Sequence, residues 1–129
     1  VRELEIMNTF QEQLGDSSGL PRILASGWHL DGAYVVTQLL GSDLQKVFGH
    51  LGTQSLERRW ATVSALGRSL LRRLQVVHGC GFVHCDVSPE NVVLGRSRET
   101  RGIAPYLIDF GCAREFPGGG PVSGDHGSM

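Results

Sequence analysis

Between Leu56 and Val77, eight apolar residues (Leu56, Trp60, Val63, Leu66, Leu70, Leu71, Leu74 and Val77) recur almost entirely at steps of three and four. At 3.6 residues per turn these positions make one stripe along a helix that starts at Ser55 or Leu56 and is closed by Gly79 and Gly81. A stripe this long has to be covered by other elements, so the expected fold is one in which this helix is a core element.

The remaining elements are short. Leu4, Ile6, Met7, Phe10 and Leu14 recur at helical spacing, which predicts an amphipathic helix over residues 1–14, closed by Gly15-Asp16-Ser17-Ser18-Gly19. Residues 22–28 and 33–37 read as antiparallel strands parted by Asp31-Gly32, a strong hairpin dipeptide. A short segment over residues 42–48 precedes the long helix. Beyond the long helix, Phe82-Val83, Asn91-Val92-Val93-Leu94 and Tyr106-Leu107-Ile108 are too brief for helices and rich in branched residues, so they are expected as strands flanking polar loops. With no internal repeat, the order describes one α+β unit.

Composition excludes several function classes. A chain of 129 residues with 40% hydrophobic and 19% charged residues has the make-up of one soluble globular domain. A net charge of -1 and the lack of like-charge blocks argue against nucleic acid as a partner. No apolar run approaches the roughly 20 residues of a membrane span, and no signal-peptide stretch follows Val1, so no membrane partner is expected and the default location is cytoplasmic or nuclear. Cys80, Cys85 and Cys112 form no C-x-x-C pair and are odd in number, which indicates neither a zinc site nor a disulfide framework. The start at Val1, directly inside a helical pattern, leads us to expect a piece cut from a longer protein, with some apolar surface left uncovered. The Gly- and Pro-rich end, residues 117–129, is expected to be mobile. Oligomeric state is not legible.

The chemistry is concentrated in Val83-His84-Cys85-Asp86-Val87-Ser88-Pro89-Glu90-Asn91 and in Tyr106-Leu107-Ile108-Asp109-Phe110-Gly111. A carboxylate held in a polar loop after a core helix can accept the proton of a substrate hydroxyl, and Asp86 occupies such a loop. Asp109, at a strand end before a permissive glycine, can reach Mg²⁺, and Asn91, five residues after Asp86, offers a second hard oxygen.

In order and context these two stretches resemble the catalytic loop H-R-D-x-x-x-x-N and the metal loop D-F-G of eukaryotic protein kinases. Within that superfamily the chain is similar to the casein kinase I group, through Gln38-Leu39-Leu40-Gly41-Ser42-Asp43-Leu44 and Tyr106-Leu107-Ile108-Asp109-Phe110-Gly111-Cys112-Ala113-Arg114. The resemblance covers residues 1–116. It implies a partial kinase fold, comprising the end of the small lobe, the hinge and the first half of the helical lobe. Residues 117–129 would then be the end of a truncated activation segment.

The implied activity is transfer of the ATP γ-phosphate to protein serine or threonine hydroxyls, with ATP and Mg²⁺ as cofactors. Asp86 would be the base, Asn91 and Asp109 the metal ligands, and His84 a support of the catalytic loop. Glu3 would pair with the ATP-binding lysine, with Glu5 poorer in helix phase. Thr37 would be the gatekeeper, and Gln38 and Leu40 would offer backbone groups to adenine. Val93 would floor the adenine pocket, and Ile108 belongs to the same nucleotide-binding set.

Departures from the pattern carry their own expectations. Cys85 stands where an arginine commonly precedes the catalytic aspartate, so activity is not expected to depend on a phosphorylated activation segment, for example at Ser123 or Ser128. Ser88 stands in place of a lysine that holds the transferring phosphate, which predicts weak turnover. No Gly-rich loop or strand lysine precedes Glu3, so the chain alone is expected to be inactive. Two alternatives stay open: a catalytically weak or dead kinase-like scaffold, and a small-molecule phosphotransferase of the aminoglycoside- or choline-kinase-like kind. Simpler readings suffice elsewhere. Cys85 and Cys112 read as small buried hydrophobes and His29, His50, His78 and His126 as surface or packing residues. Arg96, Arg98 and Arg101 read as a solvated hairpin tip, and Gly118-Gly119-Gly120 lacks the strand and helix of a phosphate loop.

Overall fold

The structure, a computed structural model, describes residues 2–15, 19–97 and 101–115. The expectations placed on Val1, Arg98, Ser123, His126, Ser128 and residues 116–129 therefore lie outside the described residues. Helix α1 spans Arg2–Leu14, with Glu3 and Glu5 in its first turn, where negative charge meets the positive end of the helix dipole. Gly15 ends it at φ 71°, a left-handed position that glycine takes without strain.

Strands β1 (Ile23–His29) and β2 (Gly32–Thr37) form an antiparallel hairpin. Its turn is displaced by one residue from the expected Asp31-Gly32. His29 pairs with Gly32, so the two loop residues are Leu30 and Asp31, and Leu30 takes the positive φ of 54°. The pairing register overrides the local preference for glycine in the turn.

Helices α2 (Leu44–Leu51) and α3 (Leu56–Gly79) both begin with a side-chain cap. Asp43 accepts a hydrogen bond from the Lys46 N–H, and Ser55 accepts one from the Arg58 N–H. After α3 the chain turns through Gly81 at φ 89° into β3 (Phe82–Val83). A single 3₁₀ turn over Pro89–Asn91 leads to β4 (Val92–Arg96), which pairs antiparallel with β5 (Ile103–Leu107). A further strand, β6 (Arg114–Glu115), pairs with β3 and was not anticipated, because two residues show no periodicity. Among the described residues, helices and three two-stranded sheets make an α+β fold.

The core gathers where α1, the C-terminal end of α3 and the catalytic-type loops meet. Phe10 of α1 packs edge-on against Phe82 and Phe110, and His84 packs edge-on against Phe110, within a cluster that includes Ile6, Val77, Val92 and Leu107. The long helix is only in part the core element expected of it. Val77 is fully buried and Leu66, Leu70 and Leu74 are partly covered, whereas Leu56, Trp60, Val63 and Leu71 are exposed, Trp60 by 65%. The described elements that pack on α3 are β3 and β5, and they leave the first half of its stripe open.

Candidate active site

The catalytic-type loop is held by a buried imidazole. His84 Nδ1 accepts the backbone N–H of Asp86 at 3.1 Å, so the proton lies on Nε2, which donates to the Ile108 carbonyl at 2.8 Å. One ring therefore ties the loop that carries Asp86 to the strand end that carries Asp109. A second tie is backbone: Ile108 N–H donates to the Asn91 carbonyl at 2.9 Å.

Asn91 and Asp86 are brought together. The Asn91 amide nitrogen donates to the Asp86 carbonyl at 2.9 Å and to Asp86 Oδ2 at 3.1 Å. These bonds engage Oδ2 of Asp86 and the side-chain nitrogen of Asn91, not Asp86 Oδ1 or the Asn91 side-chain oxygen. Asp86 itself is exposed.

Asp109 is also exposed, and its Oδ1 accepts the Gly111 N–H at 3.2 Å. Its φ is 64°, and Cys85, beside Asp86, has φ 70°. Both non-glycine residues sit in the left-handed region, at a conformational cost of about 1–2 kcal/mol each. Among the described residues no group of three or more His, Cys, Asp and Glu side chains could hold a metal. The oxygens of Asn91 and Asp109 nonetheless suit Mg²⁺, which takes one or two carboxylates from protein and completes its shell with phosphate and water.

Beside this loop system lies a mostly apolar cleft of about 470 Å³. Glu3, Thr37, Gln38, Leu40, Val93, Ile108 and Asp109 all line it, so the cleft unites these sequence-predicted residues; Asp86 and Asn91 are outside its lining. Sequence reasoning did not select Leu4, Pro21, Val35, Leu39, Gly41 or Phe110 as lining residues. Met7 also lines it, and its position four residues after Glu3, on the same helix face, was the available signal.

The segment from Gln38 to Asp43 is pinned to β4 along one wall of the cleft. Gly41 N–H donates to Leu94 O at 2.6 Å, Leu94 N–H donates to Ser42 O at 2.9 Å, and Asp43 bridges to Val93. Space at Gly41 is tight, since a Cβ would stand 3.0 Å from the Leu94 carbonyl oxygen. Glu3 Oε2 accepts the backbone N–H of Phe110 at 2.9 Å, and the Arg2 guanidinium donates to the Ala113 carbonyl at 3.1 Å. The first turn of α1 therefore grips the loop after Asp109 at two points.

No protein-family profile matches the chain. Over 97 residues, 74% of its length, the chain is 38% identical to a probable serine/threonine-protein kinase of Dictyostelium discoideum. The match covers 19% of that relative, so the chain spans about a fifth of the length of the protein it resembles. This similarity supports a relationship between the chain and protein kinases.

Proposed function

We propose that this chain carries the catalytic and metal-binding loops of a serine/threonine protein kinase resembling the casein kinase I group, which transfers the ATP γ-phosphate to protein hydroxyls. The observation that supports the reading best is the double tie, through His84 and through Asn91 O, between the Asp86 loop and the strand end at Asp109. It joins a proton acceptor to a metal-type ligand at the rim of a cleft of nucleotide size.

In this reading adenine lies against Val93 and Ile108, with Thr37 as gatekeeper and the backbone of Gln38 and Leu40 as its hydrogen-bonding partners. Asn91 and Asp109 would hold Mg²⁺, which when bound neutralises charge on the phosphates. Asp86 Oδ1 takes the proton of a serine or threonine hydroxyl as that oxygen bonds to the γ-phosphorus, the bond to the β-phosphate oxygen breaks, and ADP leaves. Asn91 keeps the Asp86 carboxylate from rotating away.

The chain alone is proposed to be inactive. The charged residues lining the cleft are Glu3 and Asp109, both acidic, and the single lysine of the sequence, Lys46, lies on α2 outside that lining. The lining thus offers the phosphates no protein cation, and we propose that a longer protein supplies one, in keeping with the length of the relative. The exposed Cys85 offers no positive charge to a phosphorylated segment, which supports activity independent of such phosphorylation.

The test is phosphate transfer from labelled ATP·Mg²⁺ to mixed protein substrates by the natural protein that contains this sequence, beside its Asp86→Asn variant. A loss of about 10²- to 10⁴-fold in the variant is expected for removal of a general base. Transfer by neither protein, with ATP still bound, would replace the reading by a kinase-like scaffold.

A further inference from the structure

Two glutamines hold two consecutive residues of the chain. The Gln11 side chain accepts the N–H of Ile23 at 2.8 Å and donates to its carbonyl at 3.3 Å. Gln38 does the same for Arg22: its side-chain oxygen accepts the Arg22 N–H at 2.8 Å, and its backbone N–H donates to the Arg22 carbonyl at 3.0 Å. Gln11 lies on the third turn of α1, whose first turn carries Glu3, and Gln38 lies in the wall of the cleft.

The primary amide of Gln11 is the only part of α1 that satisfies both polar groups of one residue of the hairpin among the contacts described. It acts as a one-residue extension of the sheet edge, supplying a donor and an acceptor at the spacing of a paired strand. We propose that Gln11 is a positioning residue. By bolting α1 to Ile23, next to the Arg22–Gln38 pair, it makes the cleft wall and the Glu3–Phe110 contact parts of one rigid unit. The inference rests on the phosphotransfer reading for its kinetic arm and on the hydrogen bonds alone for its structural arm.

Without Gln11, α1 keeps its apolar packing through Ile6 and Phe10 but loses its angular reference to the hairpin. Glu3 then holds the Phe110 amide less often, and the metal-type loop loosens at a distance from the substituted residue. Small misplacements of a site by remote changes reduce rates by about ten- to a hundredfold. Gln11→Glu is the informative companion variant, since it keeps an acceptor for Ile23 N–H but sets a second oxygen against the Ile23 carbonyl.

The experiment uses the natural protein with Gln11→Ala, Gln11→Glu, Glu3→Ala and the double variant Gln11→Ala/Glu3→Ala. Amide hydrogen exchange is read on peptides containing Phe110, and kcat is read for phosphate transfer. We expect faster exchange at Phe110 in both Gln11 variants, a fall in kcat of about tenfold or more, and a loss in the double variant no greater than in Glu3→Ala alone. Unchanged exchange at Phe110, or losses that multiply in the double variant, would overturn the proposal. If the natural protein shows no phosphate transfer, the exchange arm still decides the question, which separates failure of this inference from failure of the functional reading.

Discussion

The carboxylate of Glu3 and the backbone N–H of Phe110 meet at 2.9 Å although 107 positions separate them in the chain. Phe110 is 1% exposed, so this donor has little access to water as a substitute partner. Glu3→Ala should therefore leave a poorly solvated N–H and lower stability by about 1–3 kcal/mol. Glu3→Gln, which retains an acceptor, should lose less. Denaturant midpoints of the natural protein and the two variants check this, and equal losses would show that the hydrogen bond contributes little.

Gly95 sits where β4 passes under the cleft wall, and an added Cβ would lie 2.5 Å from Leu40 Cδ2 and 2.9 Å from the Tyr106 ring. Tyr106 cannot swing aside freely, because its hydroxyl donates to the Arg96 carbonyl at 2.7 Å. Gly95→Ala is expected to overpack the site, with a loss of about 1–3 kcal/mol. Since Leu40 is the softer neighbour and lines the cleft, the ATP binding that we propose should weaken as well. Calorimetric titration with an ATP analogue reads that effect directly, and unaltered affinity would mean that the strain is absorbed elsewhere.

The open half of the α3 stripe predicts the behaviour of the isolated 129-residue chain. With Leu56, Trp60, Val63 and Leu71 exposed on one helix, the chain should self-associate and bind an apolar dye. Trp60→Glu combined with Leu71→Glu should reduce both without lowering the melting temperature, because neither side chain is packed. Light scattering and dye fluorescence across a concentration series provide the test; a lowered melting temperature would show that the stripe supports the fold.

The three thiols should differ in reactivity. Burial pushes the Cys80 thiol above its ordinary range, whereas Cys85 and Cys112 are exposed, contrary to the buried packing expected of them, because they lie in the polar loops beside Asp86 and Asp109. Near neutral pH, iodoacetamide should label Cys85 and Cys112 before Cys80. The folded state holds the Cys80 proton more tightly than the unfolded chain. The stability this contributes is therefore complete below the ordinary thiol pKa of 9.0 and declines as pH rises through it toward the higher folded value. Peptide mapping after timed alkylation at two pH values distinguishes this order from uniform labelling.

Much of this architecture is readable in sequence because it is local. The helical period of Leu4, Ile6, Met7 and Phe10, the start of the long helix at Ser55 or Leu56 and the branched runs at Val92 and Tyr106 each specify an element within a few residues. The motif around Asp86 and Asp109 is likewise a matter of spacing. What eluded sequence reasoning depends on distant partners. The period of α3 reveals which face is apolar but not what covers Trp60. The turn at Leu30 follows from strand register. The hold of Gln11 on Ile23 and of Glu3 on Phe110 exists only once the helix is docked, and glutamine on a helix surface carries no mark of such a task.

The left-handed backbone at Cys85 and Asp109 has a consequence for any attempt to redesign this region. A procedure that chose residues for backbone comfort alone would write glycine at both positions and would be rewarded with a firmer fold. At Asp109 it would thereby delete the carboxylate at the rim of the cleft, so a variant catalogue ranked by thermal tolerance would place near its top a protein without the metal ligand that we propose.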